Sequence, residues 1–104
     1  MNYRGDVIMN TITFNDLTIP VDSYNKSTYF DGDNITSTAS CNVIPSDMTA
    51  LNAVAVAGIT AIQIHHNDTL IYDLQNISAH INNISEYLND DRVNVTISLT
   101  FDNE

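Results

Sequence analysis

"NISAHINNISEYLND", Asn76 to Asp90, decides how many helices this chain has. Its apolar residues Ile77, Ile81, Ile84 and Leu88 are spaced by four, three and four positions. That spacing lies along one face of a helix, whereas on a regular strand the set changes sides between Ile81 and Ile84. The periodicity therefore predicts a helix, with Asn76 as its cap and Asn89, Asp90 and Asp91 at its end.

The flanking segments are strand-like. "VNVTISLTF", Val93 to Phe101, alternates strictly. Val93, Val95, Ile97, Leu99 and Phe101 are expected to face a core, with Asn94, Thr96, Ser98 and Thr100 outward. Upstream, "IQIHHNDTLIYDL", Ile62 to Leu74, reads as a hairpin. A three-residue loop of His66, Asn67 and Asp68 pairs Ile64 with Leu70 and Ile62 with Tyr72, and keeps the apolar set on one face. A two-residue turn at Asn67-Asp68 pairs Ile62 with Asp73 and splits it.

"PSDMTALNAVAVAG", Pro45 to Gly58, has a different character. Ser46 is placed to cap a helix and Gly58 to end it, with Met48, Leu51 and Val54 or Ala55 as its stripe. "STYF" (27–30) and "NITSTASCNV" (34–43) are strand-like, separated by the turn signal Asp31-Gly32-Asp33. "ITFNDLTI" (12–19) is nearly palindromic. A turn at Asn15-Asp16 pairs Phe14 with Leu17 and Ile12 with Ile19, and Pro20 argues that the return strand stops early or lies on an edge. The reading is a single α+β domain over residues 1–104, with residues 1–9 as a loosely held arm and Met9 as a possible alternative start. Its antiparallel sheet has about six or seven strands, joined by two short helices. The alternative is an all-β sandwich.

The charge balance limits function. The formal net charge is −10, from 13 acidic residues against only 3 cations, Arg4, Lys26 and Arg92. Charged residues make up 15% of the chain, below the usual proportion of about 25%. The chain is acidic because bases are scarce. A surface so poor in cations cannot neutralise phosphates, so direct nucleic-acid binding is not expected, nor is docking on anionic lipid. No apolar run is long enough to span a membrane. The lone Cys41 excludes an internal disulfide.

Motifs that suggest chemistry have simpler readings. His65 and His66 are neighbours on a strand and point to opposite faces, and His80 is not required by spacing to join them, so no metal site is expected. "DGDN" (31–34) opens like a calcium loop, but Thr36 and Asn42 occupy the positions that need Gly and Glu. Arg4-Gly5-Asp6 is read as a chance tripeptide. The sequons at Asn25, Asn34, Asn67, Asn76, Asn83 and Asn94 follow from an Asn- and Thr-rich composition. Glycine-rich phosphate loops and nucleophile elbows are absent from the sequence. The chain is read as a non-enzyme without a cofactor.

In composition, and in segments such as "TITFNDLTIP" (11–20) and "VNVTISLTF", the chain resembles the small head and tail proteins of tailed bacteriophages. The resemblance implies a virion subunit made in the host cytoplasm (or a cytoplasmic protein), assembling with its own copies or with virion neighbours through sheet edges and loops. A cation-poor wall of this kind lets DNA pass without capture. The expected contact residues are Asp31, Gly32 and Asp33, then His66, Asn67 and Asp68, and Asp90 and Asp91. The alternative reading is an acidic inhibitor of the anti-restriction or anti-CRISPR type that imitates nucleic acid and binds a basic nuclease.

Overall fold

The computed structural model describes residues 9–44, 48–89 and 91–102. In chain order the elements are β1 (Asn10–Phe14), β2 (Leu17–Asp31), β3 (Asn34–Val43), α1 (Met48–Ala57), β4 (Ile62–His66), β5 (Thr69–Leu74), β6 (Ala79–Asn89) and β7 (Arg92–Phe101). The class is α+β. One seven-stranded sheet has the order β5-β4-β1-β2-β3-β7-β6, and every pairing in it is antiparallel. Among the described residues there is one helix, not two.

The second expected helix is strand β6. Its 4-3-4 spacing has another cause, a bulge between Ile81 and Asn83. Ile81 pairs with Leu99 and Ile84 with Ile97, so the extra residue, Asn82, puts both isoleucines on the face that Leu99 and Ile97 share. Asn, Ser and Ile are also poor helix formers beside the alanines of α1. Asn76 does not cap a helix. It takes a φ of 57° in the connection between β5 and β6.

Bulges correct two further expectations. The β4–β5 turn has two residues, Asn67 and Asp68, because His66 pairs with Thr69. The register then shifts between Ile64 and His65, leaving Ile71 as the extra residue. Ile64 consequently meets Tyr72 and Ile62 meets Leu74, so the apolar set stays together without a three-residue loop. Pro20 neither ends β2 nor marks an edge. It is the residue where β2 changes partner, from β1 over Leu17–Pro20 to β3 over Val21–Asp31, with a bulge between Val21 and Ser23. Its missing N–H costs nothing there, and its carbonyl accepts a bond from Ile44 N at 3.1 Å.

The β1–β2 hairpin keeps the expected register, Phe14 with Leu17 and Ile12 with Ile19. The expected helix is α1, with Leu51 fully buried and Met48 and Val54 packed against the core. Gly58 ends it at a φ of 88°, and its N–H bonds Val54 O at 2.9 Å. Ser46, Arg4–Asp6 and Asp90 lie outside the described residues.

The sheet cannot be flat. Its edge strands β5 and β6 are consecutive in the chain, so Leu74 and Ala79 are five Cα steps apart, a reach of at most about 18 Å. Seven flat strands would separate the edges by about 29 Å. The sheet therefore curls, and β2 belongs to both halves. One layer is β5-β4-β1 with the start of β2, and the other is the rest of β2 with β3, β7 and β6. Tyr24 of β2 lies 5.3 Å from Tyr72 of β5, ring centroid to centroid, and Ile59 forms a bridge with Ala79. One core joins the layers, with Ile12, Phe14 and Ile62 from the first and Cys41, Val43, Ile97 and Leu99 from the second.

Candidate functional site

The layer β2-β3-β7-β6 is longer than its core, and the molecule measures 55 × 27 × 23 Å. Among the described residues, 29–31 of β2 and 34–36 of β3 pair only with each other, because β7 pairs no further along β3 than Ser37. At the opposite end of β7, residues 92–94 continue past its last pairing with β3, at Val95, and pair only with β6 among the described residues. Two-stranded arms thus project from the two ends.

Both arms carry an apolar cross-strand pair. Phe30 opposes Ile35, and Leu88 opposes Val93. Alternation places Ile35 on the face of Ala39 and Cys41, and Val93 on the face of Val95 and Ile97, so each pair continues the core-side face beyond the point where the other layer covers it. The four side chains are 74%, 46%, 73% and 51% exposed in that order. Val93, expected in the core, therefore keeps the expected face but lies past the core's end. Asn94, expected to face solvent, is 5% exposed, and its Oδ1 has no hydrogen-bond partner among the described residues.

Of the residues expected to make contacts, Asp31, Gly32 and Asp33 form the tip of the β2–β3 arm, and Asp91 lies at the tip of the β6–β7 arm. His66, Asn67 and Asp68 form the separate β4–β5 turn. There Met9 N–H donates to Asn67 Oδ1, Asn67 N–H donates to Met9 O, and His66 Nδ1 is 2.8 Å from Asn10 Oδ1. Met9 is thereby tied down. No hydrogen bond or ion pair links one of these turns to another among the described residues. The apolar pairs behind the tips were missed in the sequence. Their alternation was visible there, but the point at which a covering layer stops is not encoded in a strand's own pattern.

The acidic residues follow turn chemistry. Three hairpin turns are Asn15-Asp16, Gly32-Asp33 and Asn67-Asp68, each with Asp second. Asn15, Gly32 and Asn67 supply the positive φ that precedes it. The turns at Asp16 and Asp68 lie at opposite ends of the paired strands β1 and β4, since Phe14 meets Ile62 and Asn10 meets His66. The described carboxylates are thus spread, with Asp16, Asp33, Asp68 and Asp91 in separate turns and Asp22, Asp73 and Glu86 on three different strands.

The remaining reactive groups are dispersed. His80 Nδ1 lies 3.0 Å from Asp102 Oδ1, both side chains about half exposed. Among the described residues no three His, Cys, Asp or Glu side chains converge to hold a metal. Cys41 is buried, and desolvation pushes its thiol up to about 12 from 9.0, so it stays protonated and inert at neutral pH. Among the described residues no helix is long and apolar enough to cross a membrane. The chain matches no protein-family model, and no curated protein is significantly similar to it.

Proposed function

We propose that the chain is a non-enzymatic assembly protein, a head or tail subunit of a phage virion, that joins its neighbours through the two hairpin arms. The observation that carries this reading is the pair of exposed apolar cross-strand contacts, Phe30 with Ile35 and Leu88 with Val93, at the two ends of an elongated molecule. Isolated exposed apolar side chains are ordinary, but paired ones on a face that is core elsewhere mark a surface meant to be covered. Different patches at opposite ends favour head-to-tail contact, which closes into rings or grows into filaments. The shortage of cations supports a role beside DNA without capture. Lys26, the one cation whose side chain is described, has its Nζ 4.9 Å from the centroid of the Phe101 ring. The acidic-inhibitor alternative would be supported by a single dense ridge of carboxylates, and the spread of the described ones over separate turns and strands gives it no such support.

Light scattering across protein and salt concentration tests the assembly. The expected mass exceeds that of the monomer and rises with salt, because screening relieves repulsion between copies of net charge −10. Phe30→Ser and Leu88→Ser should each reduce the mass to the monomer without changing the circular dichroism. A wild-type chain that stays monomeric at every salt and protein concentration overturns assembly through its own copies.

A further inference from the structure

The outward face of the long layer holds a neutral groove, on the side opposite to the Phe30–Ile35 pair. Its floor is built of short hydroxyl side chains, Ser27, Thr38, Ser40 and Ser98, from three adjacent strands. Its walls are taller, with Tyr29 on the β2 side and Asn82 on the β6 side. It encloses about 250 Å³, somewhat less than the roughly 300–1,000 Å³ of a drug-sized site. The bulge in β6 matters here, because the extra residue is Asn82 itself, re-aimed over the groove as bulges commonly do. Its Nδ2 donates to Thr100 Oγ1 at 2.6 Å, which fixes the amide and leaves its oxygen able to accept. Tyr29 is 61% exposed, so its ring face is open.

We infer that this groove binds a neutral oligosaccharide, holding one pyranose ring. The lining excludes the other common classes. Among the described residues no cationic side chain lines it, so phosphate and sulfate have no counter-charge. No carboxylate among the described residues lines it either, so a metal ion has no hard ligand. The side chains of Ala39 and Leu99, which meet it from below, are turned into the core, so a lipid finds no apolar wall. What remains is a set of groups that both donate and accept, Ser, Thr and Asn, which is what vicinal sugar hydroxyls require. Among the described residues Ser27, Thr38, Ser40 and Ser98 make no side-chain hydrogen bonds with one another or with their neighbours. The apolar C–H face of a sugar ring can lie against Tyr29, as an aromatic body with a polar tip suits such amphipathic surfaces.

The test is an amide-resolved NMR titration of the full chain with maltohexaose, cellohexaose and chitohexaose, with inorganic phosphate as control. Binding by at least one oligosaccharide is expected, with a dissociation constant of about 1 mM or tighter. Shifts should be confined to residues around 25–29, 38–40, 82 and 98, with none from phosphate. Tyr29→Ala should weaken binding about tenfold or more, Tyr29→Phe should retain it, and Ser40→Arg should block the groove. Tyr29 and Ser40 are exposed, so these variants keep the fold. Absence of shifts with all three sugars, or shifts that persist in both Tyr29→Ala and Ser40→Arg, overturns the inference. Tyr29 stands at the root of the β2–β3 arm, but the Phe30–Ile35 and Leu88–Val93 pairs lie on the opposite face and outside this readout, so its failure leaves the assembly reading standing.

Discussion

The β1–β2 and β6–β7 hairpins contain similar residues but are held in place differently. In the first, Ile12 and Phe14 are fully buried, Ile19 nearly so, and the pairing is regular from Phe14-Leu17 to Thr11-Pro20. In the second, β6 lies at the sheet edge, is buried at Ala79 and half-buried at Ile81 and Ile84, is exposed at its other described side chains, and carries an extra residue. Where both sides of a strand are occupied, alternation is enforced and a slip moves every side chain to the wrong face. At an edge, one open side can absorb an irregularity. Glu86 shows the same tolerance, since it pairs with Val95 on the core-side face yet stays exposed. A charge directed inward on an edge strand also discourages unwanted strand pairing.

Deleting single residues probes this contrast most strongly. Removal of Thr13 makes Ile12 and Phe14 adjacent, so one of them must leave the core. The expected loss is about 4 kcal/mol or more in urea unfolding, a large part of the 5–15 kcal/mol typical of a domain. If this deletion leaves the urea midpoint unchanged, the regular hairpin is not under the constraint described.

A smaller effect is expected at the turn of the same hairpin. Asn15 has a φ of 57°, donates from Nδ2 to Gly58 O at 2.9 Å, and accepts on Oδ1 from Thr60 N at 2.9 Å and Thr60 Oγ1 at 3.1 Å. One side chain therefore fastens the β1–β2 turn to the link between α1 and β4. Asn15→Ala loses these bonds and strains the left-handed backbone, at a cost of about 3 kcal/mol. Asn15→Gly relieves only the strain and should recover about 1 kcal/mol of it. Equal midpoints for the two variants would show that the side-chain bonds account for the whole loss.

The smallest effect is expected from deleting Asn82. The shortened strand keeps Ile81 opposite Leu99 and Ile84 opposite Ile97, now by plain alternation, so stability should change by less than about 1 kcal/mol. In a helix the same deletion would turn the following residues by about 100° and split the apolar stripe. A loss as large as that of the Thr13 deletion would remove the distinction between a constrained hairpin and a tolerant edge.

How much of the fold is legible in the residues depends on where the signal comes from. The 12–19 hairpin and its register are readable because two halves of one short segment constrain each other through a turn that Asn15 can make. The α1 segment is readable because alanines, a stripe at Leu51 and a terminal glycine agree. In β6 two local signals conflict, and periodicity pointed to a helix while Asn- and Ser-rich composition did not. Only Leu99 and Ile97 of β7 resolve the conflict, by demanding that Ile81 and Ile84 share a face. The same holds at Ile71, where a bulge rather than a longer loop keeps Ile64 and Tyr72 together.

The sequence alone determined the antiparallel α+β class, the hairpin turn at Asn15-Asp16, the presence of a turn within Asp31-Gly32-Asp33, the inward set of β7 from Val95 to Phe101, and the scarcity of cations. These depend on neighbours within a few positions or on composition. Tertiary structure decided the bulges, the change of partner at Pro20, the curling of the sheet and the exposure of Phe30, Ile35, Leu88 and Val93. Each of these depends on where a distant strand begins or stops, and a residue's own surroundings in the chain carry no record of that.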